Sequence, residues 1–171
     1  HGFVLPQASA ESYAVIEGGK VENTTSERRA PARLLTAMNT SALRTAASQW
    51  CSDQATALQN FGHISTWDTS EVTDTNGLFE GCPSLTDEDL SSWDVSRVTS
   101  MDSMFYGAES FNGDLSSWDV SRVTSMDSMF YGAESFNGDL RSWDVSSVTS
   151  MEFMFFGTQS FNGDLSSWDV S

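Results

Sequence analysis

The pattern of apolar and polar residues divides the chain into three parts. Residues 1–32 are mostly polar and contain one short strand-like run, residues 13–16. Residues 33–65 carry apolar positions at helical spacing, and from residue 66 onward the pattern becomes periodic. The chain is therefore predicted to consist of an extended N-terminal arm (1–32), a helical cap (33–65) and a repeat array (66–171).

The middle part predicts two helices. Apolar side chains at i, i+3, i+4 and i+7 form one stripe: Leu43, Ala46, Ala47 and Trp50. Ser41 is the predicted N-cap of this helix, and a second, short helix is predicted after Ser52 that ends at Gly62. Terminal units of repeat arrays are atypical because they cover an open face, so this pair is predicted to cap the array.

The array repeats one 25-residue phrase. Residues 91–115 read SSWDVSRVTSMDSMFYGAESFNGDL, and residues 116–140 repeat them letter for letter. Residues 141–165 are a variant copy, and residues 66–90 are a diverged first copy. A fixed period of this length predicts a repeat solenoid, here of four 25- or 26-residue repeats plus a partial fifth. The period is marked by Trp67, Trp93, Trp118, Trp143 and Trp168.

One repeat predicts a mainly β coil with a short helical turn. Val98 and Thr99 have strand chemistry. Met101 and Met104 have the spacing of one helical turn, which Gly107 ends. The predicted fold class is therefore a β-rich solenoid similar to leucine-rich-repeat or β-solenoid proteins, behind the helical cap.

Equivalent residues of stacked coils are predicted to form columns. Apolar columns are read as core because a repeat array has no other way to bury apolar area. These columns are Trp93, Trp118 and Trp143; Met101, Met126 and Met151; and Phe111, Phe136 and Phe161. One further position varies between copies and is predicted to face outward. The residues at this position are Tyr106, Tyr131 and Phe156.

The composition narrows the classes of partner. A net charge of −16 and a pI near 4.1 argue against binding nucleic acid or an anionic membrane. No apolar run is long enough to span a membrane. No cofactor is expected. The acidic residues after each Asn-Gly either cap turns or bind Ca²⁺, and the calcium candidates are Asp114, Asp139 and Asp164.

Two cysteines and two sequons bear on the compartment. Cys51 and Cys82 are either a single disulfide that pins the leading segment onto the array or two separate buried thiols. Asn23 and Asn39 begin Asn-x-Ser/Thr sequons and are candidate sites of N-glycosylation. No Ser/His/Asp set and no Cys/His cluster is evident, so the chain is not expected to be an enzyme.

The repeat phrase WDVSxVTxMxxMFxGAxSFNGDLSxW resembles the bacterial-surface-protein-like repeats, a leucine-rich-repeat relative also described as a lipoprotein-associated domain of unknown function. The resemblance covers roughly residues 42–171 and includes the lead-in before the first repeat. It implies a secreted or cell-surface location and a non-catalytic role in adhesion or structure.

Two functions follow as hypotheses. In the first, the chain is a structural protein that self-assembles head-to-tail into an extracellular fibril or surface coat, because the array stops partway into a coil without a polar cap. The candidate assembly residues are Tyr13, Val15, Ile16, Trp168 and Val170. In the second, the chain is an adhesion module. Its repeat face, with Tyr106, Tyr131, Arg97 and Arg122, then recognises a protein or a glycan.

Overall fold

The computed structural model describes residues 37–170. Contacts divide the chain into two units, His1–Ala32 and Arg33–Ser171, and the described residues belong to the second. The predicted arm therefore lies outside the described residues. So do three of the assembly candidates and one sequon, namely Tyr13, Val15, Ile16 and Asn23.

Two helices and one 3-10 turn precede the repeats. Helix α1 comprises Thr40–Ser52, helix α2 comprises Gln54–Phe61, and the 3-10 turn comprises Ile64–Thr66. The apolar stripe of α1 is buried, as its spacing indicates. The predicted N-cap at Ser41 is wrong, because the side chain of Asn39 accepts a hydrogen bond from the Ala42 N–H at 2.9 Å.

Four coils follow and stack on one another. Each begins at a tryptophan, and they comprise residues 67–92 (coil 1), 93–117 (coil 2), 118–142 (coil 3) and 143–167 (coil 4). Successive turns build each coil. In coil 2 the N–H groups of Met104, Tyr106 and Ala108 each donate to the carbonyl three residues earlier, at 3.1–3.2 Å. Ser103 (φ 55°) and Gly107 (φ 63°) adopt left-handed conformations within this run.

The predicted fold class, a mainly β solenoid similar to leucine-rich-repeat or β-solenoid proteins, is wrong. Residues 37–170 contain no strand, and parallel pairing between coils is limited to isolated bridges such as Ser100–Ser125. The helical turn predicted at Met101 is absent too, because consecutive turns take its place. A strand needs N–H and C=O groups that alternate between its two edges, and the left-handed residues in each turn prevent that alternation.

The core consists of aromatic columns. The indole rings of coils 2 to 4 and of Trp168 stack with centroids 6.3–6.4 Å apart and planes within 8° of parallel. Beside them, Phe105, Phe130 and Phe155 stack at 5.4–5.6 Å. A second phenylalanine column, formed by Phe111, Phe136 and Phe161, stacks at 5.9–6.1 Å. Aromatic rings bury about 150–250 Å² each, so these columns make a large contribution to the buried apolar area.

The indoles of coils 3 and 4 are also fixed by hydrogen bonds to carbonyls 28 residues earlier in the chain. Trp118 Nε1 donates to the carbonyl of Leu90 at 2.9 Å, and Trp143 Nε1 donates to that of Leu115 at 3.0 Å. Since a buried indole N–H without a partner is costly, this bond restricts both the residue type and the spacing of 25 residues.

Aspartates form a second link between coils. The carboxylate of Asp102 accepts from the Asp127 N–H at 3.0 Å and from the hydroxyl of Ser125 in the next coil. Asp127 repeats this arrangement with the Glu152 N–H at 2.7 Å. Asp102 thus binds the next coil, and its charge is held by hydrogen bonds across the interface.

The aspartates after each tryptophan cap turns within their own coil. Asp94 and Asp144 each accept from the N–H and the hydroxyl of the serine two residues later. For Asp144, the hydroxyl and then the N–H of Ser146 hold the pKa of the carboxyl below its ordinary value of 3.8, against an opposing effect of Asp169 in the neighbouring repeat. The charged form is therefore the form that stabilises this turn.

We expect the cost of losing a core phenylalanine to depend on its place in the stack. Phe130→Ala should destabilise the chain by about 3–5 kcal/mol, because the ring is fully buried between two stacked neighbours. Phe155→Ala should cost clearly less, because Phe155 is only half-buried. Urea unfolding followed by tryptophan fluorescence measures both, and equal losses would contradict nearest-neighbour stacking.

Removal of a serine hydroxyl should change the titration of its aspartate. In Ser146→Ala the pKa of Asp144 should rise towards 3.8, because the hydroxyl is the largest cause of its depression. A lowered pKa in the folded state means that the turn is stabilised above the unfolded pKa and loses this stability as pH falls through the folded pKa. NMR titration measures the shift, with Asp164, which bonds Ser166, as the internal control. An unchanged pKa at Asp144 would refute the assignment.

Candidate functional site: the two ends of the stack and the tyrosine column

The backbone N–H groups of the turn segments (75–81, 101–107 and 126–132) that donate to carbonyls of a neighbouring coil all donate to the following coil. In coil 2, the N–H groups of Met101, Ser103, Phe105 and Gly107 donate to carbonyls of coil 3 at 2.7–3.0 Å. The equivalent N–H groups of coils 1 and 3 donate to coils 2 and 4 in the same manner. Fewer backbone bonds run in the opposite direction, as at Thr124, whose N–H donates to the preceding coil. Each turn segment therefore presents donors towards coil 4 and acceptors towards coil 1.

An arginine from α1 meets the acceptor side of coil 1. Arg44 Nη1 donates to the carbonyl of Asn76 at 2.6 Å, and Nη2 pairs with Asp74 Oδ1 at 2.7 Å. The equivalent carbonyl in coil 2, that of Asp102, accepts from the Gly77 N–H. Arg44 thus takes the place of a backbone donor, and a cation is favoured beside aligned carbonyls. We call the carbonyl side of coil 1, residues 74–81, the head edge.

Three further contacts fasten α1 and the segment before it to coil 1. Cys51, in the last turn of α1, forms a disulfide with Cys82. The hydroxyl of Ser84 donates to the Trp50 carbonyl at 2.8 Å. Asn39, just before α1, forms a parallel bridge with Glu71. The helical segment therefore occupies the position that a preceding coil would take.

Coil 4, at the opposite end of the described stack, has an apolar surface with several backbone N–H groups that have no acceptor within residues 37–170. The N–H groups of Met151, Phe153, Phe155 and Gly157 have no partner within residues 37–170, although the same groups of coil 3 all donate to coil 4. Exposed fractions are high for Phe153 (64%) and Phe156 (59%). We call this surface the tail face. A groove in it is lined by Met151, Phe153, Phe155, Phe156, Trp168 and Val170.

The tail face thus contains the two assembly candidates that fall within the described residues. Trp168 stacks on Trp143 and is half-buried, and Val170 is 72% exposed. Sequence analysis missed Phe153. Coils 2 and 3 have Ser103 and Ser128 at this position, so the departure of one copy from the others was the available signal.

The predicted surface column is present on the repeats. Tyr106 and Tyr131 stack at 4.7 Å, and Tyr131 and Phe156 at 5.0 Å. Tyr106 is 36% exposed. The rings face one another, so the column presents their edges outward. Of the two arginines grouped with it, Arg97 pairs with Glu71 at 2.7 Å, and Arg122 is exposed.

The calcium candidates lie in exposed turns. One carboxylate oxygen of each accepts from the N–H two residues later, that is Asp114 from Ser116, Asp139 from Arg141 and Asp164 from Ser166. Within the described residues, no three His, Cys, Asp or Glu side chains form a group that could hold a metal ion. The geometry of the three aspartates is that of turn caps.

One histidine lies near a serine and a glutamate. His63 Nδ1 is 2.8 Å from Ser65 Oγ, and Nε2 is 3.4 Å from Glu88 Oε2. The same Nδ1 accepts from the Ser65 N–H at 3.3 Å and so caps the 3-10 turn. This arrangement has a local structural purpose, and sequence analysis did not identify it.

The sequon within the described residues sits at the start of α1. Asn39 is exposed, and its side-chain oxygen is already used in the N-cap. Its amide nitrogen, the atom that carries a glycan, takes no part in that bond. Between residues 37 and 170, neither helix has the length and hydrophobicity that a membrane span requires.

Comparison with known proteins identifies one family. The model of a family described as "Mycoplasma protein of unknown function, DUF285" matches residues 45–168, which include most of α1 and all four coils. The comparisons with curated proteins and with solved structures each give no match. Because the family model covers well over half of the 171 residues, the chain belongs to the family of Mycoplasma proteins of unknown function, DUF285.

Proposed function

We propose that the chain is a non-catalytic extracellular structural protein that self-assembles end to end into a fibril or surface coat. The observation that carries this proposal is the complementarity of successive coils, because rings stack on rings and turn N–H groups meet carbonyls, and the tail face offers the same rings and N–H groups without partners among residues 37–170. An apolar surface of this kind is a typical association surface. Its donors favour a partner that offers a row of backbone carbonyls.

The internal interfaces show what such a partner looks like. Coil 4 covers coil 3 by stacking its rings on those of coil 3 and by accepting the four N–H groups of the turn segment. The segment of chain that best complements the tail face is therefore another repeat of the same kind. This favours self-association over recognition of an unrelated protein.

Two features support the extracellular location. The repeat phrase resembles the bacterial-surface-protein-like, leucine-rich-repeat-related repeats, and we propose this closer relationship within the shown family. The disulfide between Cys51 and Cys82 is the other support, because such bonds persist mainly in oxidising compartments. N-glycosylation at Asn39 belongs to the same proposal.

The second candidate, an adhesion module, rests on the tyrosine column. Tyr106 and Tyr131 present a regular row of ring edges on the side of the stack. Tyrosine is enriched at interfaces because one side chain offers both an apolar body and a hydroxyl. The partner would be an extracellular protein or a glycan that contacts successive coils.

Self-association should depend on the tail face. For the wild-type chain, the weight-average mass in sedimentation equilibrium should rise with protein concentration. Phe153→Asp/Phe156→Asp should abolish this rise, because it places two charges on the surface to be buried. Leu58→Asp is the matched control, since Leu58 is an exposed apolar residue (43%) on α2. A wild-type chain that stays monomeric throughout, or a tail variant that associates as well as the control, would refute the proposal.

The adhesion candidate predicts a different result. Tyr106→Ser/Tyr131→Ser should remove binding to a glycan array or to immobilised extracellular proteins, while sedimentation of the chain alone stays unchanged. Arg141→Ser is the control, because it lies outside the proposed binding face and the equivalent positions of the other repeats are already serine. Binding that survives the loss of both tyrosines would exclude this surface.

A further inference from the structure

We propose that Tyr106 and Tyr131 are a site of oxidative cross-linking, at which a one-electron oxidant joins the two phenol rings into dityrosine and so links coil 2 covalently to coil 3. The inference is independent of both candidate functions, because it needs an oxidant and no binding partner. It rests on the part of the tyrosine column that lies inside the stack, between two complete coils.

The two phenol rings are already in contact. Their centroids are 4.7 Å apart, and their planes are 5° from parallel. Coupling joins a ring carbon beside the hydroxyl-bearing carbon of one residue to the same carbon of the other. The centroids of two rings joined in this way lie at a similar separation. The reaction therefore needs the rings to tilt, with little movement of the backbone.

Backbone hydrogen bonds hold the two residues side by side. The N–H of Gly107, which follows Tyr106, donates to the Tyr131 carbonyl at 2.7 Å. The N–H of Phe105, which precedes Tyr106, donates to the Met129 carbonyl at 2.9 Å. Because the backbone is bound on both sides of Tyr106, the rings meet in every folded molecule and not by chance collision.

Both rings are accessible to a dissolved oxidant. Tyr106 is 36% exposed and Tyr131 is partly exposed, and the column presents ring edges outward. The carbons that couple belong to those edges, beside the hydroxyl. The neighbouring core rings, such as Trp118 and Phe130, are buried. An oxidant in solution therefore reaches the two phenols before it reaches the core.

The reaction balances with hydrogen peroxide and a peroxidase as the oxidant. Each phenol gives up one electron and one proton and becomes a phenoxyl radical. The two radicals form a bond between their ring carbons. The hydrogen on each of these carbons is then lost to solvent and a proton returns to each oxygen, which restores both aromatic rings and both hydroxyls. In sum, two hydrogen atoms leave the protein and reduce one hydrogen peroxide to two waters.

The composition of the column confines the reaction to one pair among the described residues. The same position is Glu80 in coil 1 and Phe156 in coil 4, and neither side chain is a phenol. Phe156 stacks on Tyr131 at 5.0 Å, so the column also contains a similar contact that lacks one hydroxyl. The sequence has one further tyrosine, Tyr13, which lies outside the described residues.

The new bond would make an interface covalent that is otherwise held by stacking and hydrogen bonds. A cross-link between residues distant in sequence restricts the unfolded chain, and this raises the free energy of unfolding. The chain already has one oxidative cross-link, because the disulfide between Cys51 and Cys82 joins α1 to coil 1. Dityrosine would extend covalent closure to coils 2 and 3, and thiols would not reverse it.

The experiment oxidises the folded Tyr13→Phe chain with peroxidase and hydrogen peroxide, so that Tyr106 and Tyr131 are the only phenols present. We expect dityrosine fluorescence from the monomer, with a yield per chain that does not change on dilution. Cleavage after arginine places the two residues in separate peptides, 98–122 and 123–141. Mass spectrometry should find these peptides joined, with the loss of two hydrogen atoms.

Tyr13→Phe/Tyr131→Phe is the matched control, because coil 4 already has phenylalanine at this position and stacking is retained. This control should give no dityrosine. Oxidation should raise the urea midpoint of the parent chain and leave that of the control unchanged. Near-UV circular dichroism of the stacked tryptophans checks that both chains are folded before oxidation.

Three results would overturn the proposal. The first is oxidation of the folded parent chain without any joined peptides. The second is dityrosine that occurs only in covalent dimers, since the link would then not lie within one stack. The third is an equal rise of the urea midpoint in parent and control, because oxidation elsewhere would then explain the stabilisation.

Discussion

Contact between residues 25 positions apart is the constraint on which the whole structure depends. Within residues 37–170, coils 2 to 4 place their rings on those of the coil before, and coils 1 to 3 donate their turn N–H groups to the coil after. A single coil has only its internal ring pair, such as Phe105 and Phe111 at 4.3 Å, and no neighbouring carbonyl row to bind. Stability therefore resides in the interfaces between coils, and both ends of the stack need a covering surface.

The covering surfaces at the two ends are chemically different. At the first coil, Arg44 supplies a cationic side-chain donor where an internal interface has a backbone N–H, and the disulfide keeps α1 there. At the last coil, donors and phenylalanine rings remain exposed. This difference follows from bond direction, because aligned turns give the stack a donor side and an acceptor side. Any assembly that uses the ends inherits that polarity.

The surface columns have a different physical character from the core. The aspartates that follow each tryptophan accept hydrogen bonds from nearby N–H groups and hydroxyls. These bonds stabilise the charged carboxylates and offset the repulsion between carboxylates of successive coils. The residues of the tyrosine column do not cap turns in this way, and their contacts are those of stacked rings. Departures between copies are concentrated on the exterior, where Phe153 and Phe156 replace Ser128 and Tyr131 of the preceding coil. The exterior residues can therefore differ from copy to copy while the core residues keep their spacing of 25, and such differences are how a repeat surface acquires recognition or association.

The sequence by itself determined the period, the tryptophan and phenylalanine columns of the core and the two helices before the repeats, because apolar spacing is a local signal, but it misplaced the N-cap of α1 at Ser41 instead of Asn39. It did not determine the backbone of a coil. A helical turn and consecutive turns both place Met101 and Met104 inward, and only hydrogen bonds between coils select the consecutive turns. The sequence also did not predict that Arg44 binds the carbonyl side of coil 1, because its partners Asp74 and Asn76 lie about 30 residues away in the chain. The tertiary structure decided these points because bond direction and end polarity exist only once coils are stacked.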